Sequence, residues 1–158
     1  MIFFRYLRAS EDIAAGEVIL EEYPLSKGPL YSTRPVCLGC YQVLSNISSE
    51  RHNCKKCGWP LCSDICEKSP EHYPECQMFS SRDVKICCKQ FNYDGIEPMY
   101  DIICPVRVLW QRENQPEKWN IFWKLMSHID NWMASEDWKQ GHRMIVNYIL
   151  ENLQIGTL

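Results

Sequence analysis

Residues 37–76 read CLGCYQVLSNISSERHNCKKCGWPLCSDICEKSPEHYPEC. The pattern is C-x2-C, thirteen residues, C-x2-C, four residues, C-x3-C, five residues, H-x3-C. Its candidate ligands are Cys37, Cys40, Cys54, Cys57, Cys62, Cys66, His72 and Cys76. Eight soft ligands in four pairs suffice for two tetrahedral zinc sites. A tight turn inside each pair lets both members reach one ion. A lone C-x2-C says little, whereas four consecutive pairs in one short stretch point to a metal module.

Ten cysteines in 158 residues also raise a disulfide framework of the kind found in secreted domains. The amino terminus, MIFFRYLRAS, opposes it: four apolar residues precede Arg5, too few for a signal-peptide core. No stretch is long enough to span a membrane. The expected compartment is reducing, cytoplasmic and/or nuclear. Hydrophobic residues at 46% and charged residues at 23% are an ordinary globular balance, with room for one domain or two small ones.

The metal also answers an energetic need. Between Cys37 and Cys76 the apolar material is thin: Val43, Leu44, Ile47, Trp59, Leu61, Ile65 and little else. Ordering a chain costs about 1.5 kcal/mol per residue. A structural zinc contributes roughly 10–16 kcal/mol of apparent folding free energy in small modules. Ser63 suits the N-cap of a short helix carrying Cys66. Pro74 suits the first turn of another helix, which places His72 just before it.

On the amino-terminal side, Ile2–Ala9 and Val18-Ile19-Leu20 read as short strands around an Ala14-Ala15-Gly16-Glu17 turn, and Pro24 ends the second. Two such strands cannot bury a core alone. Residues 80–158 read as helical. Arg82–Phe91 and Ile102–Arg112 are the first two candidates, the second with Pro105 near its start. Pro116 opens a third, in which Trp119, Phe122, Trp123 and Met126 form a stripe at helical spacing, read as core. Without its cover, that stripe favours self-association. Ser135 caps a fourth, with Trp138, Ile145, Tyr148 and Ile149 on one face.

The eight-ligand spacing resembles a MYND zinc finger. Residues 5–20, RYLRASEDIAAGEVIL, look like the opening two strands of a SET methyltransferase domain. In the SMYD family a MYND finger is inserted after those strands, as here. Residues 100–107, YDIICPVR, look like the helical segment that follows the finger. The likeness is greatest to a divergent invertebrate branch. It implies a small α+β protein: SET-like strands over 1–36, a two-zinc, cross-braced MYND finger over 37–76, and a helical segment over 77–158 that precedes a catalytic SET half.

Members of that family methylate protein lysines with S-adenosylmethionine. Their catalytic half carries an Asn-His motif, a catalytic tyrosine and a further zinc-binding tail. No Asn-His pair occurs in this chain, and the family's early G-x-G cofactor loop aligns with Phe4-Arg5-Tyr6. Glycine there admits the cofactor to the backbone. The expectation is therefore two Zn2+, no catalytic residue, S-adenosylmethionine only in an intact family member, and no methyl transfer by this chain alone. The finger is expected to serve protein–protein interaction. The alternative is a stand-alone adaptor, or a non-catalytic copy whose zinc module is purely structural.

A proline-rich peptide is the partner the resemblance suggests. Many MYND fingers place seven residues, including a tryptophan, between the sixth cysteine and the histidine. Here Glu67–Glu71 are five, without an aromatic. DNA is disfavoured: the chain carries −3, and residues 37–76 carry four Lys/Arg against five Asp/Glu before any thiolate is counted. His52 lies outside the ligand count. Cys87, Cys88 and Cys104 read as small apolar groups.

Spacing leaves the ligand pairing open. Cys37, Cys40, Cys54 and Cys57 can hold one ion and Cys62, Cys66, His72 and Cys76 the other. Alternatively Cys37 and Cys40 join Cys62 and Cys66, while Cys54 and Cys57 join His72 and Cys76. The resemblance implies this interleaved form. Crossed loops also restrict the unfolded chain more than two local loops do.

Overall fold

The computed structural model describes residues 8–30, 32–45, 52–125 and 129–155, apart from the side chains of residues 130 and 131. Its only sheet among these residues lies inside the cysteine-rich stretch. Strands β1 (His52–Asn53) and β2 (Pro60–Leu61) pair antiparallel, with His52 opposite Leu61. Helix α1 (Asp64–Glu67) follows, then α2 (Tyr73–Ser80), which runs across position 76 into the carboxy-terminal region. Helices α3 (Ile103–Asn114), α4 (Pro116–Trp123), α5 (Ile129–Trp132), α6 (Glu136–Gly141) and α7 (Asn147–Leu153) complete the order, with a π-turn over His142–Val146 joining α6 to α7. No helix among the described residues is long and apolar enough to cross a membrane.

Local signals placed several of these ends. Ser63 Oγ accepts from Cys66 N at 3.5 Å, and Ser135 Oγ from Trp138 N at 3.1 Å. Pro74 and Pro116 sit in the first turns of α2 and α4, where no intrahelical donor is lost. His72 is the N-cap residue of α2.

Trp59 is the centre of the core. It is fully buried, and its ring meets Tyr100, Phe91 and Phe79 edge-on at centroid distances of 5.1, 5.7 and 6.0 Å. The same core holds Leu38, Cys57 and Leu61 from the finger and Ile103, Val106, Ile149 and Leu153 from the helices. The finger and the helical segment therefore share one apolar interior. Tyr100 Oη closes it by donating to Val36 O at 2.8 Å.

Three expectations change. Val18, Ile19 and Leu20 form no strand and are 64–75% exposed, because nothing among the described residues pairs with them; most of Ile2–Ala9 lies outside the described residues. The Ala14–Glu17 turn does form, with Gly16 at φ 87°. Arg82–Phe91 is not an α-helix: only Cys88–Gln90 makes a 3-10 turn. Ile86 N instead donates to Cys57 O at 2.8 Å and the Cys88 thiol to Gly58 O at 2.9 Å, so the segment is laid against the second C-x2-C turn. The α4 stripe is not core either. No residue of α4 is buried, Trp123 is 60% exposed, and Met126 lies outside the described residues.

Candidate metal centres

Both centres begin from the same C-x2-C turn. Tyr41 N donates to Cys37 O at 2.7 Å, and Gly58 N donates to Cys54 O at 2.9 Å. Each turn closes through a left-handed residue one place past its second cysteine: Tyr41 at φ 61° and Gly58 at φ 83°. Glycine adopts this without steric cost and tyrosine does not. Glycine is required at 58, where a Cβ would strike the Ile86 backbone. At 41 the tyrosine hydroxyl is used, accepting from Arg107.

The remaining ligands come from the second half of the stretch. Cys62 follows β2, Cys66 rides on α1, and His72 and Cys76 lie one helical turn apart at the start of α2. The Sγ atoms of Cys37, Cys40, Cys62 and Cys66 lie within 4.8 Å of one another. So do the ligand atoms of Cys54, Cys57, His72 and Cys76. The grouping is thus the interleaved one. Cys40 Sγ stands 3.6 Å from Cys62 Sγ, Cys54 Sγ 3.7 Å from Cys76 Sγ, and Cys57 Sγ 3.6 Å from His72 Nε2. Bonds of about 2.3 Å to one tetrahedral zinc put two sulfurs roughly 3.8 Å apart, so the spacing fits.

In both groups the crowded sulfurs perturb one another. Burial raises the Cys37 thiol, but backbone N–H groups, that of Cys62 foremost, outweigh it and bring the pKa below the ordinary value. Burial and the neighbouring sulfurs push Cys62 and Cys66 up. In the second group the Cys57 hydrogen bond, aided by His72, holds Cys76 down to about 4, while the same bond and burial push Cys57 up. Burial opposes charge on His72, yet Cys76 and Glu75 together raise it to about 10. A divalent cation satisfies such a ring of sulfurs and binds their deprotonated forms.

Two residues that sequence reasoning missed stand behind His72. Its Nδ1–H donates to Glu75 Oε1 at 2.8 Å, and Arg107 grips Glu75 from α3. Glu75 sits inside the H-x3-C pair, where a carboxylate three residues after a histidine at a helix start is a visible signal. Arg107 carried no local signal. His52 is apart from both centres, its Nε2 2.8 Å from Glu67 Oε2.

A two-stranded sheet, short helices and two cysteine-rich clusters are compatible with a small α+β zinc-finger fold. Over about half its length the chain is similar to a SET domain-containing protein of Drosophila melanogaster. It is 33% identical over 79 residues to SmydA-8 isoform B and 36% identical over 74 residues to isoform A, covering 48% and 45% of this chain. The matches span 17% and 15% of those relatives' lengths. No family model and no solved structure matches the chain.

Proposed function

We propose that the chain is the zinc-binding amino-terminal part of a SET and MYND domain protein of the lysine methyltransferase family. In this reading Cys37, Cys40, Cys62 and Cys66 ligate one zinc, and Cys54, Cys57, His72 and Cys76 the other. The finger is of MYND type and serves contact with another protein. The observation that carries the reading is the interleaved grouping of eight ligands, on a chain half of which is similar to SmydA-8. Native mass spectrometry should find two zinc ions per chain. One ion, or disulfides among these cysteines, would overturn it.

A groove of about 560 Å3 beside the second centre, lined by Lys55, Lys56, Glu67, Tyr73 and Gln77, supports the contact role. Tyr73 is 56% exposed there, an aromatic for a proline-rich peptide to stack on. The expected result is saturable binding of such a peptide that Tyr73→Ala weakens. The core shared by finger and helices supports a second reading, a purely structural zinc module. Under it no peptide binds and the Tyr73 variant changes nothing.

These 158 residues should transfer no methyl group from S-adenosylmethionine, since they hold no Asn-His motif and neither glycine of the cofactor loop. Labelled methyl on a protein lysine, above a zinc-ligand variant control, would refute this. The zinc reading supports a reducing compartment, cytoplasmic and/or nuclear, and fractionation tests it.

A further inference from the structure

We propose that Arg107 is a positioning residue for the second metal site, acting through Glu75 on His72. The proposal rests on the reading of that site as a zinc centre. Arg107 is 3% exposed, and Glu75 and His72 are fully buried. A buried guanidinium is costly unless its donors are paired. Here all five are. Nε and Nη2 hold Glu75 Oε2 and Oε1 at 2.6 and 2.9 Å. Nη2 also donates to Leu38 O at 3.2 Å, and Nη1 to Lys27 O at 2.7 Å and to the Tyr41 hydroxyl.

A pair that only stabilised the core could be replaced by apolar residues of similar volume. This one does something apolar residues cannot. The guanidinium fork immobilises both carboxylate oxygens of Glu75. One of them, Oε1, also accepts the Nδ1–H of His72. That bond selects the tautomer whose Nε2 lone pair faces the sulfurs of Cys54, Cys57 and Cys76. Outer-shell carboxylates of this kind orient a metal-binding imidazole and raise its basicity. The first centre, with four thiolates and no imidazole, has no tautomer to select and serves as an internal control for Glu75 variants, while Arg107 also holds Leu38 O and Tyr41 in its C-x2-C turn. Metal binding in the finger is thereby tied to a side chain of α3, well outside the cysteine pattern.

The test uses the full chain, zinc and a competing chelator, with the two ions counted separately by native mass spectrometry. Glu75→Gln and Arg107→Lys should each weaken the second ion about 10–100-fold. Lysine keeps the charge but lacks the fork. For Glu75→Gln, which removes no direct contact to the first C-x2-C turn, the first ion should stay unchanged. Nitrogen-15 spectra of the zinc-loaded wild type should show His72 protonated at Nδ1, with a slowly exchanging proton, and Arg107→Lys should speed that exchange. Equal weakening of both ions by Glu75→Gln, or no change in either, overturns the proposal. If the variants do not fold, the wild-type spectrum decides: ligation of zinc through Nδ1 overturns it. A wild type that binds no second ion removes the zinc reading, and the proposal falls with it.

Discussion

The two candidate metal centres use the same turn and nearly the same ligands, yet they sit in opposite surroundings. In the first, Cys37 is buried, Cys66 half-buried, and Cys40 and Cys62 exposed; in the second, all four ligands are buried. The first turn closes on a strained tyrosine that reaches Arg107, the second on a glycine pressed against Ile86. Local ligand spacing thus makes a site, and the packing behind the ligands decides how firmly it is held. The second centre lies wholly inside the Trp59 core, whereas the first joins that core through Cys37 and leaves Cys40 and Cys62 at its solvent rim.

The strongest way to break this contrast is to remove the metal. Each structural zinc contributes roughly 10–16 kcal/mol of apparent folding free energy in small modules. Chelation should therefore expose the amides of the described part of 37–76 to hydrogen exchange. It should also loosen α3, because Ile103 and Val106 share the Trp59 core and Arg107 holds Glu75 behind His72. Protection of α3 that survives intact would show the helices to be an independent unit.

Next in size is Trp59→Ala. Emptying a buried site of that volume costs about 3–5 kcal/mol. Chemical denaturation should show the loss, and the second ion should become easier to chelate than the first. Equal sensitivity of both ions would erase the distinction between rim and core.

A finer comparison sets Gly58→Ala against Gly39→Ala. At Gly58 a side chain meets both a left-handed backbone, worth about 1–3 kcal/mol for a non-glycine residue, and the Ile86 main chain. At Gly39 the added Cβ would stand 2.6 Å from Cys66 O, so the strain falls on a ligand of the first centre. Melting temperatures should drop more for Gly58→Ala, and Gly39→Ala should release the first ion preferentially. The smallest effect changes no equilibrium: isotopically labelled zinc should enter in two phases, the fast one at the exposed first centre. A single phase would mean that the burial difference does not govern access.

Much of the site was legible without coordinates. The paired spacing of the eight candidate ligands, the Ser63 and Ser135 caps and the Pro74 and Pro116 helix starts all rest on patterns spanning three or four residues, which a sequence displays directly. The stretch 82–91 does not form the helix its pattern suggests because the Ile86 amide goes to Cys57 and the Cys88 thiol to Gly58, roughly thirty positions back. The α4 stripe was misread for a related reason: periodicity marks an apolar face, not whether anything covers it.

By itself, then, the sequence displayed eight candidate ligands, enough for two sulfur-rich sites, on a stretch with little apolar material of its own. Tertiary structure chose between the two pairings that spacing leaves open, and the pairing it shows is the interleaved one that the resemblance implies. It also decided that Glu75 and Arg107 would stand behind His72. Such partners are set by the approach of α3 to α2 in space, and no local spacing encodes that approach.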